Sequence, residues 1–234
     1  MSTTHARRLN AGLLAMALVL AVAFFLAPPL FFPGPFDDFP RAFAAYWSSG
    51  GGRGFPPDLQ HLVDQQFGYH LVRVVIALPL LVVLVALAVR LRRFRLPLAV
   101  LALAAAALLI LNVQGFVSPF GTLLPLLASH PANADLTADL AQARDQLAHG
   151  PISPALHVML DEYVRWHVVK GVLSGLLAAV LIGLSVVAWR RGRRRWYSLL
   201  PTVPAVGALV VVVANVTTVV NPDPGFLLLL QGSW

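Results

Sequence analysis

The sequence predicts an all-α integral membrane protein: one N-terminal helix, then two tandem direct repeats, each an outer amphipathic segment followed by a two-helix hairpin. Three observations predict it. The first is composition, since 58% of the 234 residues are hydrophobic and 12% charged, with a mean hydropathy of +0.77. A soluble domain carries about twice that share of charge. The second is five apolar runs near the length of about 20 residues that a helix needs to cross the hydrocarbon core. The third is a long ungapped self-match.

The five spans are Ala11–Phe32, Tyr69–Val89, Leu96–Val113, Val168–Trp189 and Trp196–Val220. Their apolarity is continuous and lacks the alternation of barrel strands. The first run resembles a cleavable leader, with Arg7 and Arg8 before it and the small residues Ala21-Val22-Ala23 inside it. Its continuation through Phe24–Leu26 and Leu30–Phe32 favours a retained anchor.

Charge sorts by segment. Arg7, Arg8, Arg90, Arg92, Arg93, Arg95, Arg190, Arg191, Arg193, Arg194 and Arg195 fall at the N-terminus and in the turns after the second and fourth spans, with no carboxylate among them. All ten carboxylates lie in residues 33–68, 114–167 and the tail after 220. The positive-inside rule then places the N-terminus in the cytoplasm and the C-terminus outside, in a multi-pass protein of the plasma (inner) membrane. The net charge of +7 is therefore no sign of a nucleic-acid partner, because short arginine turns between spans offer little surface for base recognition. The absence of cysteine excludes disulfides, thiolate metal sites and cysteine nucleophiles.

Displacing the chain on itself by 97 residues aligns Pro57 with Pro154, Leu59 with Leu156, Asp64 with Asp161 and His70 with His167. A displacement of 103 aligns Asn112-Val113 with Asn215-Val216 and Pro119 with Pro222. The organisation is thus residues 1–33 as tail and first helix, 34–130 as repeat 1 and 131–234 as repeat 2. Asp38–Trp47 and Asp135–Ala148 carry Phe39, Phe43, Trp47 and Leu136, Leu140, Leu147 at helical spacing, and read as outer helices that lie at the interface or cap the bundle. Phe226–Leu230 is too short to span and belongs at the same level, while Ser48–Gly54 reads as a flexible linker. Pro79, Pro201 and Pro204 are candidate bends.

Counting 1.5 Å per residue from the arginine turns, His70, His167, Asn112 and Asn215 fall about 25 to 35 Å away, at the outer boundary. Arg73 and Lys170 follow the histidines by three residues, and Asp64 and Asp161 stand just above them. Structural roles are available: interfacial histidines beside Tyr69 and Trp166, snorkelling cations, capping asparagines, and an i, i+4 pair of Asp161 with Arg165.

The functional readings differ in chemistry. In the first, Arg73 and Lys170 supply charge while His70, His167, Asn112 and Asn215 hydrogen-bond an anionic lipid-like ligand at the outward face, in a non-catalytic protein that binds membrane lipids or serves as accessory subunit of a membrane complex. A membrane-protein partner or a homo-oligomer would then cover the apolar helices, through small residues such as Gly171, Gly175, Ala178 and Gly183. In the second, His70 and His167 are metal ligands or the axial pair of a haem b, although no cofactor is required by the sequence. In the third, the protein eases movement of a lipid or small molecule across the membrane. An ion-coupled transporter is disfavoured by spans without midplane ionisable groups. The signatures HExxH, Gly-x-Ser-x-Gly and GxxxxGK[ST] are absent, which argues against an enzyme.

Overall fold

The computed structural model describes residues 3–33, 36–52, 54–129, 134–190 and 195–232. They form ten α-helices and two 3-10 turns, with no strand among the described residues: α1 (Thr3–Phe31), α2 (Phe39–Ser48), α3 (Pro57–Arg90), α4 (Arg95–Val117), α5 (Pro119–Leu123), α6 (Leu126–Ser129), α7 (Ala134–His149), α8 (Pro154–Arg190), α9 (Arg195–Val220) and α10 (Pro222–Gln231). Five of these helical segments, within α1, α3, α4, α8 and α9, are long and apolar enough to cross a membrane. The second arginine turn lies largely outside the described residues, as does the expected boundary at 130/131.

Two helices are longer than their apolar runs. The spans expected from Tyr69 and Val168 are the distal parts of α3 and α8, which begin at Pro57 and Pro154. Proline suits a first helical position, where its missing N–H leaves no intrahelical bond unmade. At 34 and 37 residues these helices reach about 51 and 55 Å, some 20 Å beyond a hydrocarbon core of about 30 Å. Pro79 is accommodated inside a continuous α3.

The chain divides into two compact units. Unit 1 comprises Met1–Pro35 and His61–Pro119, and unit 2 comprises Phe36–Gln60 and Phe120–Trp234.

In unit 1, Ala17 of α1, Leu80, Val83, Leu84 and Leu87 of α3, and Leu98, Ala102 and Ala105 of α4 form one core. The alanines let the helix backbones approach closely. At the arginine end, Arg90 Nε donates to Asn10 Oδ1 at 2.8 Å. The turn from α3 to α4 is a single 3-10 turn, Arg92–Phe94, so the two helices are antiparallel neighbours. At the far end, a Cβ on Gly68 would overlap the Phe32 ring.

In unit 2 the amphipathic segments turn their apolar faces onto one another. Phe39, Phe43, Tyr46 and Trp47 of α2 are buried, and Phe120 of α5 lies between Phe39 and Phe55, with ring centroids 6.0 and 4.8 Å away. Trp47 Nε1 donates to Gln142 Oε1 of α7 at 3.1 Å, and Leu136, Leu140 and Ala143 of α7 are buried. The tail α10 is part of this cap, with Phe226, Leu229 and Leu230 buried and Phe226 edge-on to Tyr163. The glycine linker packs as well. Tyr46 Oη donates to the Gly52 carbonyl, and Gly51, at φ +58°, leaves no room for a Cβ against Ala155.

Below the cap, α8 and α9 form a hairpin along a seam of small residues. Gly171, Ser174 and Ala178 of α8 and Ala205, Ala208 and Asn215 of α9 are buried, and Ser185 Oγ and Thr202 Oγ1 are 2.7 Å apart. Gly171 and Ala178 are therefore spent inside the chain, whereas Gly183 faces open space. Val172, Leu176 and Val180 of α8 and Val206, Val210 and Val213 of α9 remain exposed.

Candidate functional site

In unit 1 the far half of α3 carries two adjacent polar stripes. Gln66 and His70 lie on the stripe that meets α4, and Gln65, Tyr69 and Arg73 on the stripe beside it. Asn112 Nδ2 donates to the Leu108 carbonyl at 2.7 Å, which turns Asn112 Oδ1 toward His70 Nδ1, 3.0 Å away. In this arrangement His70 Nδ1 carries the proton and Nε2 accepts from Gln66 Nε2 at 3.1 Å. Both ring nitrogens are engaged, so coordination to iron or another metal would require His70 to release a partner. Gly115 admits the ring, because a Cβ there would overlap the imidazole.

Arg73 stands on the neighbouring stripe without a carboxylate among the described residues. Its guanidinium carbon lies 4.3 Å from the Tyr69 ring centroid and 5.1 Å from that of Phe24 in α1. Such contacts stabilise a cation by about 0.5–2 kcal/mol, more as water is excluded. They leave the N–H groups unused, and Nε is buried with no acceptor. Gln65 Oε1 and both amide atoms of Gln114 are likewise buried and unpaired, and Gln114 as a whole is 1% exposed.

Unit 2 holds the matching residues in a related but different arrangement. Lys170 Nζ lies 5.4 Å from the Trp166 centroid, again an aromatic four residues before the cation. Asn215 Nδ2 donates to the Val211 carbonyl at 2.7 Å, as Asn112 does to Leu108. His167, however, donates Nδ1–H to the carbonyl of Tyr163 at 2.8 Å and packs against the Tyr163 ring, tilted by 57° with centroids 4.3 Å apart. Asn215 Oδ1 is left buried and without a donor. The difference is local: residue i−4 from the histidine is Gln66 in one unit and Tyr163 in the other, and only the glutamine offers an amide to Nε2.

Of the eight residues picked from the sequence, His70 and Asn112 are joined directly, and Arg73 stands on the next stripe of α3. His70 belongs to one unit and His167 to the other. Asp64 and Asp161 are exposed. Asp161 pairs with His157 at 3.8 Å, and Arg165 with Glu162 at 2.6 Å, in place of the expected Asp161–Arg165 pair. An i, i+3 partner already in reach takes the guanidinium. Among the described residues no cluster of three His, Cys, Asp or Glu side chains could hold a metal ion.

Sequence reasoning missed Gln65, Gln66 and Gln114. Gln114 had a signal, being an amide at the end of an otherwise apolar run. A groove of about 540 Å³ at the end of α9 is lined by Val216, Thr217, Thr218, Asn221 and Gly225. Its threonine hydroxyls are turned back onto the Ala214 carbonyl at 2.8 and 3.0 Å, so they offer a ligand little. No family model, curated protein or solved structure matches the chain.

Proposed function

We propose that this is a non-catalytic, multi-pass protein of the plasma (inner) membrane, with a cytoplasmic N-terminus, that binds an anionic lipid-like ligand at its outward face. One observation carries the reading: Arg73 and Lys170 each lie over an aromatic ring and have no carboxylate partner among the described residues. Counted along their helices from Arg90 and Arg190, they lie about 25 to 30 Å away, near the outer limit of the hydrocarbon. A cation at that depth is costly unless paired or solvated. The rings hold it in place without neutralising it, and an acidic headgroup supplies the missing charge through short, charge-assisted hydrogen bonds.

The test is the lipid that copurifies with the full chain. Arg73→Gln and Lys170→Gln together should abolish the retained anionic phospholipid seen by native mass spectrometry, while neutral lipid persists. Equal anionic lipid in parent and variant would overturn the reading.

The exposed valine faces of α8 and α9 support a second role as accessory subunit, or as protomer of a homo-oligomer, since partner helices pack on such faces as readily as lipid does. Crosslinking in native membranes, with a partner band or a ladder of multiples expected, tests it; monomer alone would overturn it.

A further inference from the structure

Among the described residues of unit 1, the buried side-chain polar atoms without partners are Gln65 Oε1, Arg73 Nε, Gln114 Oε1 and Gln114 Nε2. Each buried group left unpaired costs about 1–3 kcal/mol, so such a concentration within one unit calls for a partner. Arg73 and Gln114 agree in height. Arg73 lies about 25 Å from Arg90, and Gln114 about 28 Å from Arg95 along α4. Gln65 is two turns above Arg73, but Arg73 folds back over Tyr69, one turn nearer.

Their chemistry restricts what can satisfy them. Arg73 Nε–H needs an acceptor, best an anionic oxygen. The Gln114 amide lacks both a donor and an acceptor, and a hydroxyl group is both at once, whichever way the amide is turned. Gln65 Oε1 also needs a donor. A carboxylate or a bare phosphate supplies only acceptors, and a choline headgroup has no N–H or O–H to give.

We infer that the far half of unit 1 takes an acidic group bearing a neighbouring hydroxyl, namely the phosphate ester of a polyol, with Arg73 on the phosphate and Gln114 and Gln65 on the hydroxyls. The inference rests on the reading above and names its ligand class.

The full chain in nanodiscs of phosphatidylglycerol, phosphatidic acid and phosphatidylcholine in equal parts tests it by native mass spectrometry of retained lipid. Phosphatidylglycerol should be enriched over phosphatidic acid about tenfold, the worth of one to two hydrogen bonds. Gln114→Leu should bring that ratio to about one while retaining both acidic lipids, and should raise the thermal midpoint of the delipidated protein by removing an unpaired amide. With Lys170→Gln already in place to silence the unit 2 cation, Arg73→Gln should lose both acidic lipids. Free glycerol 3-phosphate that displaces the lipid identifies the phosphopolyol alone as ligand, and no displacement with the preference intact identifies the lipid; either upholds the inference. A parent without preference, or a Gln114→Leu protein with the parent's ratio, overturns the hydroxyl site while Arg73→Gln still upholds anion binding. Acidic lipid unchanged in the Arg73→Gln, Lys170→Gln double variant overturns both.

Discussion

Asn112 and Asn215 occupy matching places near the ends of α4 and α9 and make the same backbone bond, yet only Asn112 Oδ1 receives a hydrogen bond, from His70 Nδ1 at 3.0 Å. The two side chains therefore differ in what their removal exposes. Asn112→Leu leaves the His70 Nδ1–H buried without an acceptor and should destabilise the protein by about 1–3 kcal/mol. Asn215→Leu deletes an oxygen that is already unpaired and should stay within about 1 kcal/mol of the parent. Denaturant unfolding in detergent, followed by tryptophan fluorescence, measures both. Equal losses would contradict the assignment.

Gly115 and Gly183 offer a second contrast. A methyl at Gly115 drives into the His70 ring, whereas one at Gly183 meets nothing within 4 Å. Gly115→Ala should thus lower the thermal midpoint and disturb His70. Gly183→Ala should be neutral or stabilising by about 0.5–1 kcal/mol through helix propensity.

Burial raises the Tyr46 phenol above its ordinary value, and the Gly52 N–H that donates to Tyr46 Oη opposes this only in part. The folded state then holds the proton more tightly than the unfolded state does. The resulting stability is fully present below about pH 10, the unfolded value, and is lost as pH rises toward the folded one. The unfolding midpoint of the cap should fall between pH 9 and pH 11 in the parent, on the order of that shift, and fall less in Tyr46→Phe. Tyr46→Phe should itself lose about 0.5–1.5 kcal/mol near neutrality with the phenolic hydrogen bond. Parallel pH profiles for the two proteins would refute this account.

The proposed orientation can be read without a background, since the chain has no cysteine. Arg93→Cys should react with an impermeant maleimide only from the cytoplasmic side, and Asp145→Cys only from outside. Labelling of both from one side would invert or break the topology.

The spans were legible because long apolar runs and arginine turns are one-dimensional signals. The extent of α3 and α8 was only half legible. Pro57 and Pro154 stood out as repeated residues, but the helices they start run through polar sequence before the apolar part begins. Partner choice was not legible at all. His70 and His167 are the same residue in the same register, and what separates them is a glutamine or a tyrosine one turn earlier, competing for the same ring. The amphipathic segments were recognisable as helices, whereas their packing on one another and on Phe120 depends on contacts across more than 80 residues of chain.

Helix α8 contains no proline between Pro154 and Arg190 and passes unbroken from the cap, where Leu156 and Met159 are fully buried, to the seam with α9. It therefore acts as a lever of one piece. Turning its head under the cap by the angle of a single residue, about 100°, would swing Lys170 from one side of the shaft to another. The cap thus sets the bearing of a cation four turns below it, and any force on one end is felt at the other without a joint to absorb it.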